Sequence, residues 1–374
     1  MCHRSPGREP YTTESSARQA TRKSKSMWID MAVLKINVDS DDMSLEKTKL
    51  PVLTLLAIVF TLALTHATLE LPRILNSILV GFFPDIYWEP ESIEALISYA
   101  RPIGYACLLV VIALILVGFI TKRRRLSSLG SFAFFLPAFG YFAASMFFLT
   151  GIGILRVLWL PFWDSSPTLL KLGDISFLPY GIVMYSLRLL GVGEEQLLNA
   201  GNLLAILAVG AGLLIFCVGT FTWFYGKFEN RKVFDFWIYK YSRHPQYLGF
   251  ILWSYGVMLL TTLAPVPFGG YQPEPSLPWL ISTLLVICVA LTEENMMIKK
   301  ADESYLTYRK SAPFMLPLPR FLSRILTAPN RMLLKKEFPV SGREVLCSFV
   351  IYLTILILLS LLVQELNLFV GILR

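Results

Sequence analysis

Residues 202–223 read NLLAILAVGAGLLIFCVGTFTW, 22 positions without a charged side chain. A helix needs about 20 apolar residues to cross a bilayer. In hydrocarbon its backbone must satisfy every N–H and C=O internally, which a helix does. The stretch therefore reads as a membrane-spanning helix. Comparable runs occupy 51–69, 102–121, 131–150, 246–263, 277–292 and 344–370. Residues 174–190 are ambiguous: they are apolar but carry Pro179 and Arg188, as in a broken or interface-lying helix. The expected fold class is all-α, a polytopic transmembrane bundle of seven or eight spans.

Composition points the same way. The 374 residues are 55% hydrophobic and only 16% charged, with a mean hydropathy of +0.58, whereas soluble domains carry roughly 25% charged residues. A soluble enzyme, a disordered chain and a secreted disulfide scaffold are excluded. The five cysteines contain no CxxC pair, and His3, His66 and His244 lie far apart. No disulfide framework and no metal site is expected. The formal charge is +8; the bases cluster beside the apolar runs, so membrane orientation explains them rather than nucleic acid.

The distribution of those bases sets the expected topology. Residues 70–100 hold five acidic residues and only Arg73 as a base, and should face out. Lys122-Arg123-Arg124-Arg125 should face in. Residues 227–243 carry five bases to two acids and 293–343 ten to five, so both should be cytoplasmic, with 264–276 outside. One alternation satisfies every loop if 174–190 does not cross. The expected organisation is a polar, mobile cytoplasmic tail (1–50), N-terminal spans of unassigned role (51–200), a core carrying the site (201–325), and a basic linker with the last span (326–374). Any chemistry belongs on the cytoplasmic face, where the two long polar segments meet.

Ionisable residues at the membrane edge are functional candidates, because a buried charge is costly without a partner. Two clusters qualify. The first is Tyr239-Lys240-Tyr241-Ser242-Arg243-His244-Pro245-Gln246-Tyr247-Leu248-Gly249. Pro245 suits the first turn of a helix and holds His244 extended. Arg243 and His244 should therefore hang off a helix start, an arrangement suited to a carboxylate or phosphate. Gly249, Trp253 and Gly256 share one face of that helix and admit another helix or a flat ligand. The second cluster is Glu293-Glu294. Neighbouring helix positions differ by about 100°, so at most one carboxylate can point into the bundle. The helix should run on through 295–311, with Tyr305 and Tyr308 on one face, as an amphipathic arm folding back over the cytoplasmic opening until Pro313, Pro317 and Pro319 end it.

At these residues the chain resembles a known family. Arg243-His244-Pro245-Gln246-Tyr247-Leu248-Gly249 is similar to the RHPxYxG motif of integral-membrane methyltransferases, the superfamily of isoprenylcysteine carboxyl methyltransferases and phospholipid N-methyltransferases. Glu293-Glu294, then Tyr305-Leu306-Thr307-Tyr308, then Pro313-Phe314-Met315-Leu316-Pro317 resemble its C-terminal signature. The resemblance covers about residues 211–320. Gly210-Ala211-Gly212 fits the phospholipid enzymes' GxG. One departure stands out: many relatives have glycine two residues before the entry-segment tyrosine, where this chain has Trp237 before Tyr239, so a different loop geometry is expected there.

The resemblance implies S-adenosylmethionine as cofactor and a methyl acceptor that is a membrane lipid or lipidated substrate, a phospholipid amine or an isoprenylcysteine carboxylate. It implies Arg243, Glu293 and Glu294 as catalytic, and Tyr239, Arg243, His244, Pro245, Tyr247, Gly249, Glu293, Glu294, Tyr305 and Tyr308 as cofactor-binding. The chemistry is consistent with those types. Arg243 and His244 can hold the cofactor's carboxylate, a glutamate can accept from its ammonium or ribose diol, and Tyr247 can lie against adenine or sulfonium. Glu293 or Glu294 is the candidate base for an amine acceptor. Two alternatives are a sterol-reductase-like enzyme using NADPH, whose usual arm residues are replaced here by Ala301-Asp302-Glu303-Ser304-Tyr305, and a non-catalytic scaffold or transporter.

Overall fold

The structure is a computed structural model and describes residues 43–79, 90–121, 160–263, 275–300 and 303–365. The expected span 131–150, the Lys122–Arg125 run and nearly all of the tail 1–50 lie outside the described residues. The chain divides into two units, Met1–Lys49 and Leu50–Arg374; the first is described only from residue 43. Everything below concerns the second.

Every regular element among the described residues is a helix. They are α1 (Met43–Leu79), α2 (Pro90–Ile120), α3 (Leu160–Ser165), a 3-10 segment (Pro167–Phe177), α4 (Leu178–Leu189), α5 (Glu194–Phe228), a 3-10 turn (Trp237–Lys240), α6 (Pro245–Leu263), α7 (Ser276–Lys300), α8 (Glu303–Ser311), α9 (Arg320–Leu333) and α10 (Gly342–Glu365). Six of them are long and apolar enough to span a membrane: α1, α2, α5, α6, α7 and α10. The stretch 174–190 is not a span. It changes at Phe177 from 3-10 to a 12-residue α-helix, about 18 Å long at 1.5 Å per residue against a hydrocarbon core of about 30 Å. The spanning helices keep large apolar side chains on their outer faces, as at Leu62, Leu109, Leu207, Leu214 and Leu358. Such a surface suits lipid rather than water.

Among the described helices α5 and α6 come into backbone contact, and glycine makes it possible. A Cβ on Gly212 would lie 2.2 Å from the Trp253 nitrogen, one on Gly249 2.5 Å from the Phe216 nitrogen, and one on Gly256 2.6 Å from the Ala205 oxygen. Without side chains there the two backbones touch. Gly249, expected in the cofactor site, thus has its open side filled by α5. The glycine face that could take a helix or a flat ligand takes a helix. Phe60 of α1 packs onto α5 against Phe216 and Phe224, at 6.4 and 6.0 Å between centroids.

Two apolar clusters hold the remaining elements. Phe119 of α2, Leu285 of α7 and Val345 of α10 belong to one; Phe177, Tyr180, Ala205 and Leu259 join the 3-10 segment and α4 to α5 and α6 in the other. Elements from all three expected sections, 51–200, 201–325 and 326–374, therefore share one body. The 3-10 segment is wedged at one end of the bundle. Ser276 Oγ, at the start of α7, donates to Asp174 Oδ1 at 2.8 Å, the Ile175 N–H donates to Ser360 Oγ at 3.1 Å, and Gln364 Nε2, near the end of α10, donates to the Lys171 carbonyl at 2.6 Å. The opposite end gathers the last turns of α2, α5 and α7 and the first turns of α6 and α10; a Cβ on Gly342 would lie 2.3 Å from the Phe119 carbonyl oxygen. Arg243, at the close of the base-rich segment 227–243, lies at this end with Arg309, Pro313 and Phe338 of the base-rich segment 293–343.

Candidate functional site

The entry segment to α6 is shaped by two local features. Trp237 has φ of +48°, a region costly for a residue with a Cβ and natural for glycine. Its ring is held by Phe221 at 5.4 Å, Tyr225 at 4.8 Å and Phe236 at 5.2 Å, so aromatic packing retains the conformation that glycine would adopt freely. Pro245 then opens α6, fully buried with its ring carbons 3.2 Å from where a Gly219 Cβ would be. The His244 carbonyl accepts from the Leu248 N–H at 3.0 Å, the first bond of the helix. Arg243 and His244 therefore stand just outside the helix start, as the proline requires.

Their side chains converge on Glu294, near the end of α7. Its side chain is 2% exposed, and its Oε1 lies 2.8 Å from Arg243 Nε and 3.3 Å from His244 Nε2. The Oε2 atom faces Arg309 Nε of α8 at 3.4 Å. The Arg243 contact is an ion pair whose Nε–H is not aimed for a hydrogen bond. Arg243 instead ties the arm down. Its Nη1 donates to the Arg309 carbonyl at 2.7 Å, and its backbone N–H donates to the Pro313 carbonyl at 3.0 Å. Rings close the cluster: Phe338 lies 5.8 Å from the Arg243 guanidinium and 5.6 Å from that of Arg309, and Phe314 lies 5.1 Å from His244. Two guanidiniums share one carboxylate, so among the described residues the Arg243–Glu294–Arg309 group carries one more positive charge than negative. Burial draws the Arg243 pKa below its ordinary value, and the Glu294 carboxylate is the strongest opposing influence.

Glu293 occupies a different environment, as the helical offset demands. It is half-buried, no ion pair joins it among the described residues, and its charge acts on Tyr239 and Tyr305. Tyr239, Tyr305 and Tyr308 form a buried group. Tyr308 Oη donates to the Tyr239 carbonyl at 2.8 Å, and Tyr239 Oη donates to Gln246 Oε1 at 2.8 Å. Burial raises all three phenol pKa values; that of Tyr305 is pushed up to about 12, with Glu294 adding to the effect. Tyr247 is half-buried, its ring 5.7 Å from that of His244.

The structure thus brings together Tyr239, Arg243, His244, Glu293, Glu294, Tyr305 and Tyr308, with Tyr247 alongside. Pro245 and Gly249 act through packing against α5. The arm expected as one helix over 295–311 is helical in α7 as far as Lys300 and again in α8 from Glu303; residues 301–302 lie outside the described residues. Arg309 and Phe338 were not legible as site residues. A base directly after Tyr308 was a usable signal for Arg309; Phe338 follows α9, outside the resemblance, and no local pattern marked it.

Fold and site together define a multi-pass helical membrane protein with a buried, net-cationic Arg–His–Glu–Arg cluster at one end of its bundle. No family model, curated protein or solved structure matches the chain.

Proposed function

We propose that the protein transfers a methyl group from S-adenosylmethionine to a lipid or lipid-linked acceptor at the cytoplasmic membrane face. The carrying observation is the excess positive charge of Arg243 and Arg309 around Glu294, beside the start of α6, with a second carboxylate, Glu293, left outside that ion-pair cluster. The donor set fits the cofactor's groups. A guanidinium excess suits its carboxylate, Glu293 suits its ammonium or ribose diol, and the faces of Tyr247 and Tyr305 suit its sulfonium. Bound there, the cofactor would supply an electrophilic methyl group.

The residues divide the work. Glu294, committed to two guanidiniums, positions Arg243 and Arg309. Glu293, outside those ion pairs, would receive the proton of an amine acceptor. Phe314 and Phe338 exclude water from the charged cluster, which strengthens every electrostatic contact within it. The base-rich segments that reach this end favour the cytoplasmic side, and a headgroup could approach at the membrane edge. The acceptor classes are a phospholipid amine and an isoprenylcysteine carboxylate; a proton-accepting Glu293 favours the amine.

The test is calorimetric titration of the purified full chain with S-adenosylmethionine. Binding is expected, and His244→Ala and Glu294→Ala should weaken it. No binding in the wild type, or undiminished binding in both variants, refutes the proposal. NADPH consumption would point to the reductase, and cofactor-independent flux of a solute to a transporter.

A further inference from the structure

α9 is inside out for water. Its small polar residues face the protein: Asn330 is buried, its Oδ1 accepting from Ser348 Oγ of α10 at 3.0 Å, and Ser323 and Thr327 are half-buried. Its apolar residues face away. Phe321 is 62% exposed, Ile325 63% and Met332 79%, with Leu322, Leu326 and Leu333 also exposed. At 100° per residue these six fall within a sector of about 140°. Arg324 and Arg331 lie together roughly 60–80° beyond its edge, both exposed. In an aqueous setting the six would be turned inward.

The surroundings say what covers this face. Leu326, through its carbonyl and Tyr352 Oη, and Asn330, through Ser348, fasten α9 to the flank of α10 within that helix's spanning segment, Gly342–Glu365. Val350, Leu358 and Leu362 of α10 are exposed as well, so the lipid that surrounds α10 also reaches α9. Between residues 320 and 344 the bases Arg320, Arg324, Arg331, Lys335, Lys336 and Arg343 outnumber the acids Glu337 and Glu344. An apolar face edged by arginines suits an anionic membrane surface, because the side chains reach headgroup phosphates while the helix stays in the acyl region.

We propose that α9 is a lipid-facing helix whose Arg324 and Arg331 hold the headgroups of anionic phospholipids. This does not depend on the methyltransferase proposal. The test uses the full chain in neutral detergent, titrated with fluorescent phosphatidylglycerol or phosphatidylcholine carrying the same acyl chains. Tighter binding of phosphatidylglycerol is expected. Arg324→Gln/Arg331→Gln should remove that preference, at roughly five-fold in affinity per base lost, while leaving phosphatidylcholine binding unchanged. Equal affinity for the two lipids in the wild type, or a preference that survives in the double variant, overturns the proposal. So does a self-association that Ile325→Ser abolishes, since a second copy of the chain would then be what covers the face.

Discussion

Glu294→Gln keeps the shape of the side chain and removes its charge, which makes it the sharpest probe of the site. In the native protein the carboxylate lies 2.8 Å from Arg243 Nε, 3.4 Å from Arg309 Nε and 3.3 Å from His244 Nε2, with its side chain 2% exposed. At an effective dielectric of about 20, an ion pair near 4 Å attracts by about 4 kcal/mol. Desolvation offsets much of that in the intact pair. It does not offset the loss when one partner vanishes, and breaking a buried pair costs about 3–5 kcal/mol. Here the amide leaves two guanidiniums near each other without an anion, so the upper part of that range applies. At about 2–4 °C per kcal/mol for chains of 150–250 residues, and less for longer ones, the thermal midpoint should fall by on the order of 10 °C. The assay is thermal unfolding in one fixed detergent, followed by intrinsic fluorescence. Glu293→Gln, which touches no guanidinium, should shift the midpoint by no more than about 2 °C, the size of an ordinary substitution away from such features. Arg243→Gln/Glu294→Gln should be less damaging than the sum of its single changes, with a coupling of up to about 3 kcal/mol. A Glu294→Gln midpoint indistinguishable from wild type, or a Glu293→Gln loss of equal size, would refute the buried-cluster account.

Three further outcomes follow from the geometry. Gly249→Ala should cost about 1–3 kcal/mol or more, because its Cβ would meet the Phe216 nitrogen at 2.5 Å; Gly210→Ala, with nothing within 4 Å, should be neutral or stabilising by up to about 1 kcal/mol; the same unfolding assay reads both. Trp237→Ala should be less stable than Trp237→Gly by about 1 kcal/mol, since both lose the aromatic contacts but only glycine accepts φ of +48° freely; equal midpoints would remove the argument for strain. Burial raises the Tyr305 pKa to about 12, while the unfolded chain releases that proton near 10. The resulting stability is complete below pH 10 and is lost as the pH climbs towards 12, so the midpoint should decline across that window in wild type and less steeply in Tyr305→Phe.

Much of the site was legible because local chemistry constrained it. A proline after Arg243-His244 can only start a helix, so those two side chains had to stand at its mouth, and they do. Adjacent glutamates on one helix had to diverge, and Glu294 turned to the guanidiniums while Glu293 remained outside the ion-pair cluster. Which of the two would turn in could not be read, because that depends on the rotation of α7 against α2 and α10. Gly249 was readable as a point of close approach but not as to what approaches; α5 does. Phe338 was invisible for the same kind of reason, since it reaches the cluster only because α10 returns to the end of the bundle where α6 begins.

Runs with little or no charge, most of them close to the thickness of a bilayer, settled by themselves that this chain is a bundle of membrane-crossing helices, because hydrocarbon gives a backbone no partner but itself. The spacing of proline, bases and glutamates likewise named the ends of α6 and α7 as the places where charge would gather. Only the tertiary structure decided that Arg309 joins Arg243 on one carboxylate and that the glycine face of α6 is closed by a neighbouring helix. Those outcomes turn on how helices distant in sequence rotate and meet, and contact across the bundle leaves no periodic trace along any one of them.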